Sequence, residues 1–150
     1  MKPSSELLTY FKDYEDQIQA FAQILTTRGI ERGLIGPKEG DRIWERHIAN
    51  SIPVTTLIPQ GVRVVDIGSG AGLPGIVIAL ARPDLKMTLV EPLQRRVDFL
   101  TEVVAELDLP IEVIRGRAEI VKKQFEVVTA RAVAPLEKLI QISWHMIPRG

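Results

Sequence analysis

A carboxylate followed by four closely spaced glycines is the stretch of this chain best suited to chemistry: Asp66-Ile-Gly68-Ser-Gly70-Ala-Gly72-Leu73-Pro74-Gly75. Glycines at this spacing let the backbone turn sharply and pass close to a ligand where any Cβ would intervene. Taken alone they could also make nothing more than a tight strand-to-helix turn. A second acid, Glu91, follows about 20 residues on, the separation at which a carboxylate meets ribose hydroxyls in dinucleotide folds. Two cofactors compete for such a turn. Gly70-x-Gly72-x-x-Gly75 fits the dinucleotide pattern, so spacing admits NAD. Asp66 argues the other way, because a carboxylate at the end of the preceding strand repels a pyrophosphate but can serve the ammonium end of a methionine moiety, directly or through water. Charge therefore favours S-adenosyl-L-methionine, while Glu91 would hold the ribose in either case.

The turn needs a strand before it and a helix after it, and the surrounding pattern supplies both. Residues 62–67 form a short β-branched run bounded by glycines, as in a buried parallel strand, and Pro74 suits the first turn of a helix over 74–81. Strands are predicted over 86–90, 111–115 and 125–129, and helices over 93–107 and 136–145. Leu93, Val97, Leu100, Val104 and Leu107 recur at helical spacing and are expected to cover one sheet face. Such alternation implies right-handed crossovers, a mostly parallel sheet of Rossmann-like α/β class, and a ligand at the carboxyl ends of its strands. Upstream, Leu7, Phe11, Tyr14, Ile18, Phe21 and Leu25 predict a helix from residue 5 to about 28, with Ser4 and Ser5 as caps. Glycines and a proline punctuate residues 29–37, and a second helical pattern runs from about 38 to 50. The chain thus divides into an N-terminal helical appendage, 1–60, and an α/β cofactor-binding domain, 61–150.

Composition bounds the rest. With 150 residues, 45% hydrophobic and 25% charged, the chain can bury one sizeable core. No apolar run approaches the ~20 residues of a bilayer span, and no secretory signal opens the sequence, so a cytoplasmic location and no membrane partner are expected. Without cysteine, and with His47 and His145 far apart, no metal site is expected. The formal net charge is zero, so a nucleic-acid partner would be met by a local basic patch.

Several segments together carry a narrower likeness. The glycine turn, Glu91-Pro-Leu-Gln-Arg-Arg-Val-Asp-Phe-Leu100, Arg115-Gly-Arg-Ala-Glu119, Ala130-Arg-Ala132 and Ile43-Trp-Glu-Arg-His-Ile48 resemble the RsmG (GidB) family, from about Phe11 to the C-terminus. The resemblance implies methylation of N7 of a guanine in 16S ribosomal RNA by S-adenosyl-L-methionine. It also implies cofactor contacts at Gly68, Leu73, Ala118, Glu119 and Arg131, which join Asp66, Gly70, Gly72 and Glu91 from the residue reading. Alternatives stay beside these: Arg117 and Glu119 could form an exposed ion pair, and Arg131 a salt bridge anchoring its loop rather than a group that positions the acceptor.

If the acceptor is guanine N7, its lone pair is free at neutral pH, so no general base is expected and the enzyme contributes alignment. Arg28, Arg32, Lys38, Arg42, Arg46 and His47 could form an RNA surface, with Arg42, Arg46 and His47 as candidates. Interleaved Glu31, Glu39, Asp41 and Glu45 equally suit a solvated helix face. Trp44 could stack on a base with His47 or pack into the core. Arg95, Arg96, Lys122 and Lys123 could extend a basic rim. A complete domain of this kind is expected to continue past the last helix with a fifth strand and a β-hairpin, and to be a monomer. Ending at Pro148-Arg149-Gly150, the chain is expected to expose a strand edge and to self-associate. A non-catalytic or truncated cofactor-binding module, or more distantly an NAD enzyme, remain the rival readings.

Overall fold

The computed structural model describes residues 2–131 and 136–148; Ala132 lies outside them. Four strands, β1 (Arg63–Ile67), β2 (Lys86–Glu91), β3 (Glu112–Arg115) and β4 (Val127–Ala130), form one parallel sheet in the order β3-β2-β1-β4. The order steps outward from β1 to β3, then reverses to place β4 on the other side of β1. That reversal opens a crevice above the carboxyl ends of the strands, the usual ligand position in open α/β sheets.

Crossovers are made by α4 (Gly75–Ala81) and α5 (Gln94–Glu106), while α6 (Leu136–Ser143) follows β4. Strand alternation sends Val64 and Leu89 into one core, with α4, α5 and the N-terminal segment, and Val65, Ile67 and Val90 into a second one closed by Phe125 and Met146. The first core continues into Phe11, Ile18, Phe21, Trp44 and Ile48, so apolar packing crosses residue 60 without a break.

Two expectations about the helices are corrected. The helix expected over 5–28 is divided into α1 (Ser5–Leu8), capped by Ser4 Oγ, a 3₁₀ turn Thr9–Phe11, α2 (Glu15–Ile24) and a π turn Leu25–Gly29. The break near Tyr14 redirects the chain so that Phe11 and the Ile18/Phe21 row are all fully buried. The segment expected over 38–50 is helical throughout but is not one regular α-helix. A 3₁₀ turn Pro37–Arg42, a π turn Ile43–Ile48 and a 3₁₀ turn Ala49–Ser51 lead into α3 (Ile52–Thr55). Ile43 and Ile48 are five residues apart, the spacing a π turn brings to one face, and both are buried.

The stripe expected on α5 is also shifted. Phe99, Leu100, Val103 and Leu107 are its buried residues, Val97 and Val104 are half-buried, and Leu93 stands exposed just before the helix. The expected row does lie along one face, but Phe99 and Val103 centre the buried sector to one side of it, and Leu93 precedes the helix in extended backbone, with φ of −86° and ψ of 123°.

Candidate active site

The glycine turn grows directly out of β1. Gly68, Gly70 and Gly72 have φ of 65°, 56° and 91°, conformations that disfavour any side chain, and Gly68 N–H donates to the Val90 carbonyl at 2.8 Å. The helix starts at Gly75, with Pro74 as its N-cap after a cis Leu73–Pro74 peptide. A Cβ on Gly75 would lie 2.5 Å from Leu89 Cδ2 and 2.6 Å from Asp66 Oδ2, so only glycine fits between α4 and the sheet.

Asp66 is the reason for that close approach. Its carboxylate is fully buried, with Oδ2 accepting from Gly75 N–H at 3.2 Å and Oδ1 from the Thr129 hydroxyl at 2.8 Å. One side chain therefore ties β1, β4 and the first turn of α4 together. Burial pushes its pKa up to about 6, against the opposing pull of the hydrogen bonds from Thr129, Ser69 and Gly75. The carboxylate is engaged beneath the turn and does not line the cavity above it.

That cavity, of about 410 Å³, is walled by the ends of all four strands: Ile67 and Gly68 after β1, Glu91 to Leu93 after β2, Gly116 to Glu119 after β3, and Arg131 after β4. Its volume lies within the usual range of small-molecule sites. Glu91 is 1% exposed, accepting from Gly70 N–H at 3.0 Å and Leu93 N–H at 2.9 Å, while Arg96 Nη1 stands 3.6 Å from Oε1. Two backbone bonds leave this carboxylate acceptor capacity toward the cavity, as a vicinal diol requires. Ala118, in the 3₁₀ turn Ala118–Ile120, is buried and adds a small apolar wall.

The sequence-predicted residues thus fall into two groups. Gly68, Glu91, Ala118, Glu119 and Arg131 line the cavity; Asp66, Gly72 and Leu73 are buried within the turn, and half-buried Gly70 donates its N–H to Glu91. Arg117 and Glu119 are exposed and form no ion pair among the described residues. Leu93, Arg96 and Ile142 line the cavity without having been singled out for it. Leu93 and Arg96 sit within a helical repeat that reads as core or rim, and Ile142 arrives from α6, a placement no local pattern announces.

The basic residues divide similarly. Arg28 and Arg32 pair with Glu106 and Glu102 on α5, and Arg95 Nη1 donates to the Arg32 carbonyl at 3.3 Å. Lys123 pairs with Glu112 at the amino end of the sheet, so Lys122 and Lys123 do not join a basic rim with Arg95 and Arg96 near the carboxyl ends of the strands. Trp44 is 5% exposed in the core, which leaves no face for stacking on a base. His47, by contrast, reaches the cavity lip, where its Nδ1 lies 2.8 Å from Arg131 Nη2. Arg42 and Arg46 lie close enough to Glu39, the other partner of His47, to act on its charge.

A parallel sheet with this turn and this cavity is similar in fold to a methyltransferase from Geobacter sulfurreducens solved with S-adenosyl-L-homocysteine (TM-score 0.56, 17% identity, 69% of this chain and 44% of that one). It is similar also to the tRNA m1G37 methyltransferase of M. jannaschii (TM-score 0.53, 14% identity, 73% and 34%). The fold is therefore that of the Rossmann-like S-adenosyl-L-methionine-dependent methyltransferases.

Within that class, the model of the GidB family, rRNA small subunit methyltransferase G, matches residues 14–150, and the chain belongs to this family. Relatives named ribosomal RNA small subunit methyltransferase G include proteins of Mycobacterium avium (56% identical over 133 residues, 85% of this chain, 54% of that protein) and Corynebacterium jeikeium (56% over 135 residues, 87% and 61%). The chain spans between about half and two thirds of the length of such relatives.

Proposed function

We propose that the protein transfers the methyl group of S-adenosyl-L-methionine to N7 of a guanine in 16S ribosomal RNA, in the cytoplasm. The observation that carries this reading is the cavity over the carboxyl ends of the strands, which has a buried diol-type acceptor, Glu91, inside and Arg131 at its lip. Family membership supplies the acceptor class.

The residues fit the cofactor by their chemistry. Glu91 would accept from the ribose hydroxyls, Ala118 and the apolar walls from Ile67, Val90 and Leu93 would take the adenine, and Gly68 and Glu119 would lie against the remaining polar groups. When bound, the cofactor supplies an electrophilic methyl group on a sulfonium. Asp66, Gly70, Gly72 and Leu73 support it indirectly by holding the turn. Guanine N7 needs no deprotonation, so the protein's task is to align the acceptor and keep water out, with no proton-transfer residue. Arg131 at the lip can donate to a base edge or phosphate of the arriving RNA, and Arg42, Arg46 and His47 extend that surface.

Calorimetric titration with S-adenosyl-L-methionine and with NAD, followed by transfer of labelled methyl groups to small-subunit RNA, tests the reading. Saturable binding of the first cofactor alone, then label at guanine N7 with transfer falling steeply as salt rises, is the expected result. NAD binding would overturn the cofactor assignment; cofactor binding without transfer to RNA would leave a binding module and overturn the activity.

A further inference from the structure

Three side chains from distant stretches of the chain meet at the cavity lip. Arg131, one residue past β4, places Nη2 2.8 Å from His47 Nδ1, and His47 Nε2 lies 2.9 Å from Glu39 Oε2. A guanidinium can only donate, so Nδ1 is the bare, accepting nitrogen of the imidazole. The ring proton then sits on Nε2 and is donated to the carboxylate. The two partners together select one tautomer of a neutral ring, and charge runs from anion through dipole to cation.

The neighbourhood supports that order. The hydrogen bond from His47 holds the Glu39 carboxyl below the usual carboxylate range, and the nearby charges of Arg46 and Arg42 act in the same direction. The His47 side chain is only 13% exposed, so its ring has little freedom to turn and exchange its nitrogens. Arg131 is exposed at the lip, and an arginine so placed has several rotatable bonds to fix before its fork can meet a partner. One N–H held by His47 sets the guanidinium plane and leaves the other N–H groups for the cavity.

We propose that His47, backed by Glu39, is a positioning residue that holds the Arg131 guanidinium in place for the incoming guanine or its phosphate. The proposal rests on the methyl-transfer reading above. It deepens that reading by giving the N-terminal segment a part in acceptor alignment. His47 acts here through Arg131 and not as a proton acceptor in the reaction.

Two substitutions separate the halves of the imidazole. In His47→Asn the amide oxygen falls near the position of Nδ1 and keeps an acceptor for Arg131, while the donor to Glu39 is lost. In His47→Gln the amide nitrogen falls near Nε2 and keeps the bond to Glu39, but nothing accepts from Arg131. The expected result is a loss of kcat of about ten-fold or more for His47→Gln and under about three-fold for His47→Asn. Cofactor affinity by calorimetry should stay within about two-fold of the parent in both. Equal losses of kcat in the two variants, or a loss confined to cofactor affinity, would overturn the proposal.

Nitrogen-15 NMR of the ring gives a readout independent of turnover. A protonated Nε2 and a bare Nδ1 are expected in the parent protein, with this preference weakened in Arg131→Ala. A proton on Nδ1 would overturn the contact. If the parent moves no methyl group to RNA, the functional reading fails, and the tautomer still decides whether His47 holds Arg131.

Discussion

Asp66 holds a carboxylate where no water reaches it, and the consequence is a stability that depends on pH. Its pKa is raised from 3.8 to about 6 by burial, so between those values the folded protein keeps a proton that the unfolded chain releases. The contribution is full below about pH 4 and is lost as pH rises through about 6, a swing of about 3 kcal/mol. Asp66→Asn removes the ionisation and keeps an amide oxygen for Gly75, while Thr129 can turn its hydroxyl to accept from the amide. The variant is therefore expected to gain stability relative to the parent between pH 4 and pH 7, by up to that amount. Urea unfolding at the two pH values measures the difference, and the same gap at both would show that Asp66 stays ionised throughout. The acid's position at the end of β1 is legible in the sequence, because a β-branched run stops at it and glycines follow. Its orientation is not, since the partners that turn it inward include Thr129, and which strand lies beside β1 is decided by crossovers far along the chain.

At the scale of elements, the strands and the helices that cover them were legible to within a residue or two, because glycine, proline and β-branched runs mark their ends. The N-terminal segment was legible only as apolar spacing. Outside α2 the segment is built largely of tight and wide turns in place of a regular helix, and the spacing alone does not distinguish them. The polar clasp between this segment and the end of α4 was not legible at all. Arg82, at the end of α4, donates from Nη1 to the carbonyls of Thr55 and Ile58 at 2.7 and 2.9 Å and from Nη2 to that of Pro59 at 3.3 Å. Its fork also grips Asp84, with both bonds at 2.8 Å. Four partners on one planar group give Arg82 a role that a lysine cannot reproduce. Arg82→Ala is expected to cost about 2–3 kcal/mol, because it leaves half-buried carbonyls without a donor, and Arg82→Lys should recover less than half of that. Thermal melts of the two variants provide the check; a lysine variant as stable as the parent would reduce Arg82 to a point charge.

The whole molecule presents an asymmetric surface. One face of the sheet is sealed by α4, α5 and the N-terminal segment, whereas on the other α6 buries Ser143, with Met146 just beyond it, and turns a row of large apolar residues outward. Leu136, Ile140 and Trp144 follow one another at steps of four and are 71%, 46% and 62% exposed. β4 closes the strand order, so among the described residues its outer edge has no paired strand. An exposed apolar helix row and an unpaired strand edge each favour contact between copies, and a net charge of zero opposes it weakly. The 150-residue chain is therefore expected to self-associate, with sedimentation velocity showing larger species as concentration rises. Replacing Ile140 and Trp144 together by glutamate should shift the distribution toward monomer. Because both side chains are exposed, the melting temperature should change little. A parent chain that sediments as a monomer across the concentration series would mean that this row and edge are too small or too mobile to hold a second copy.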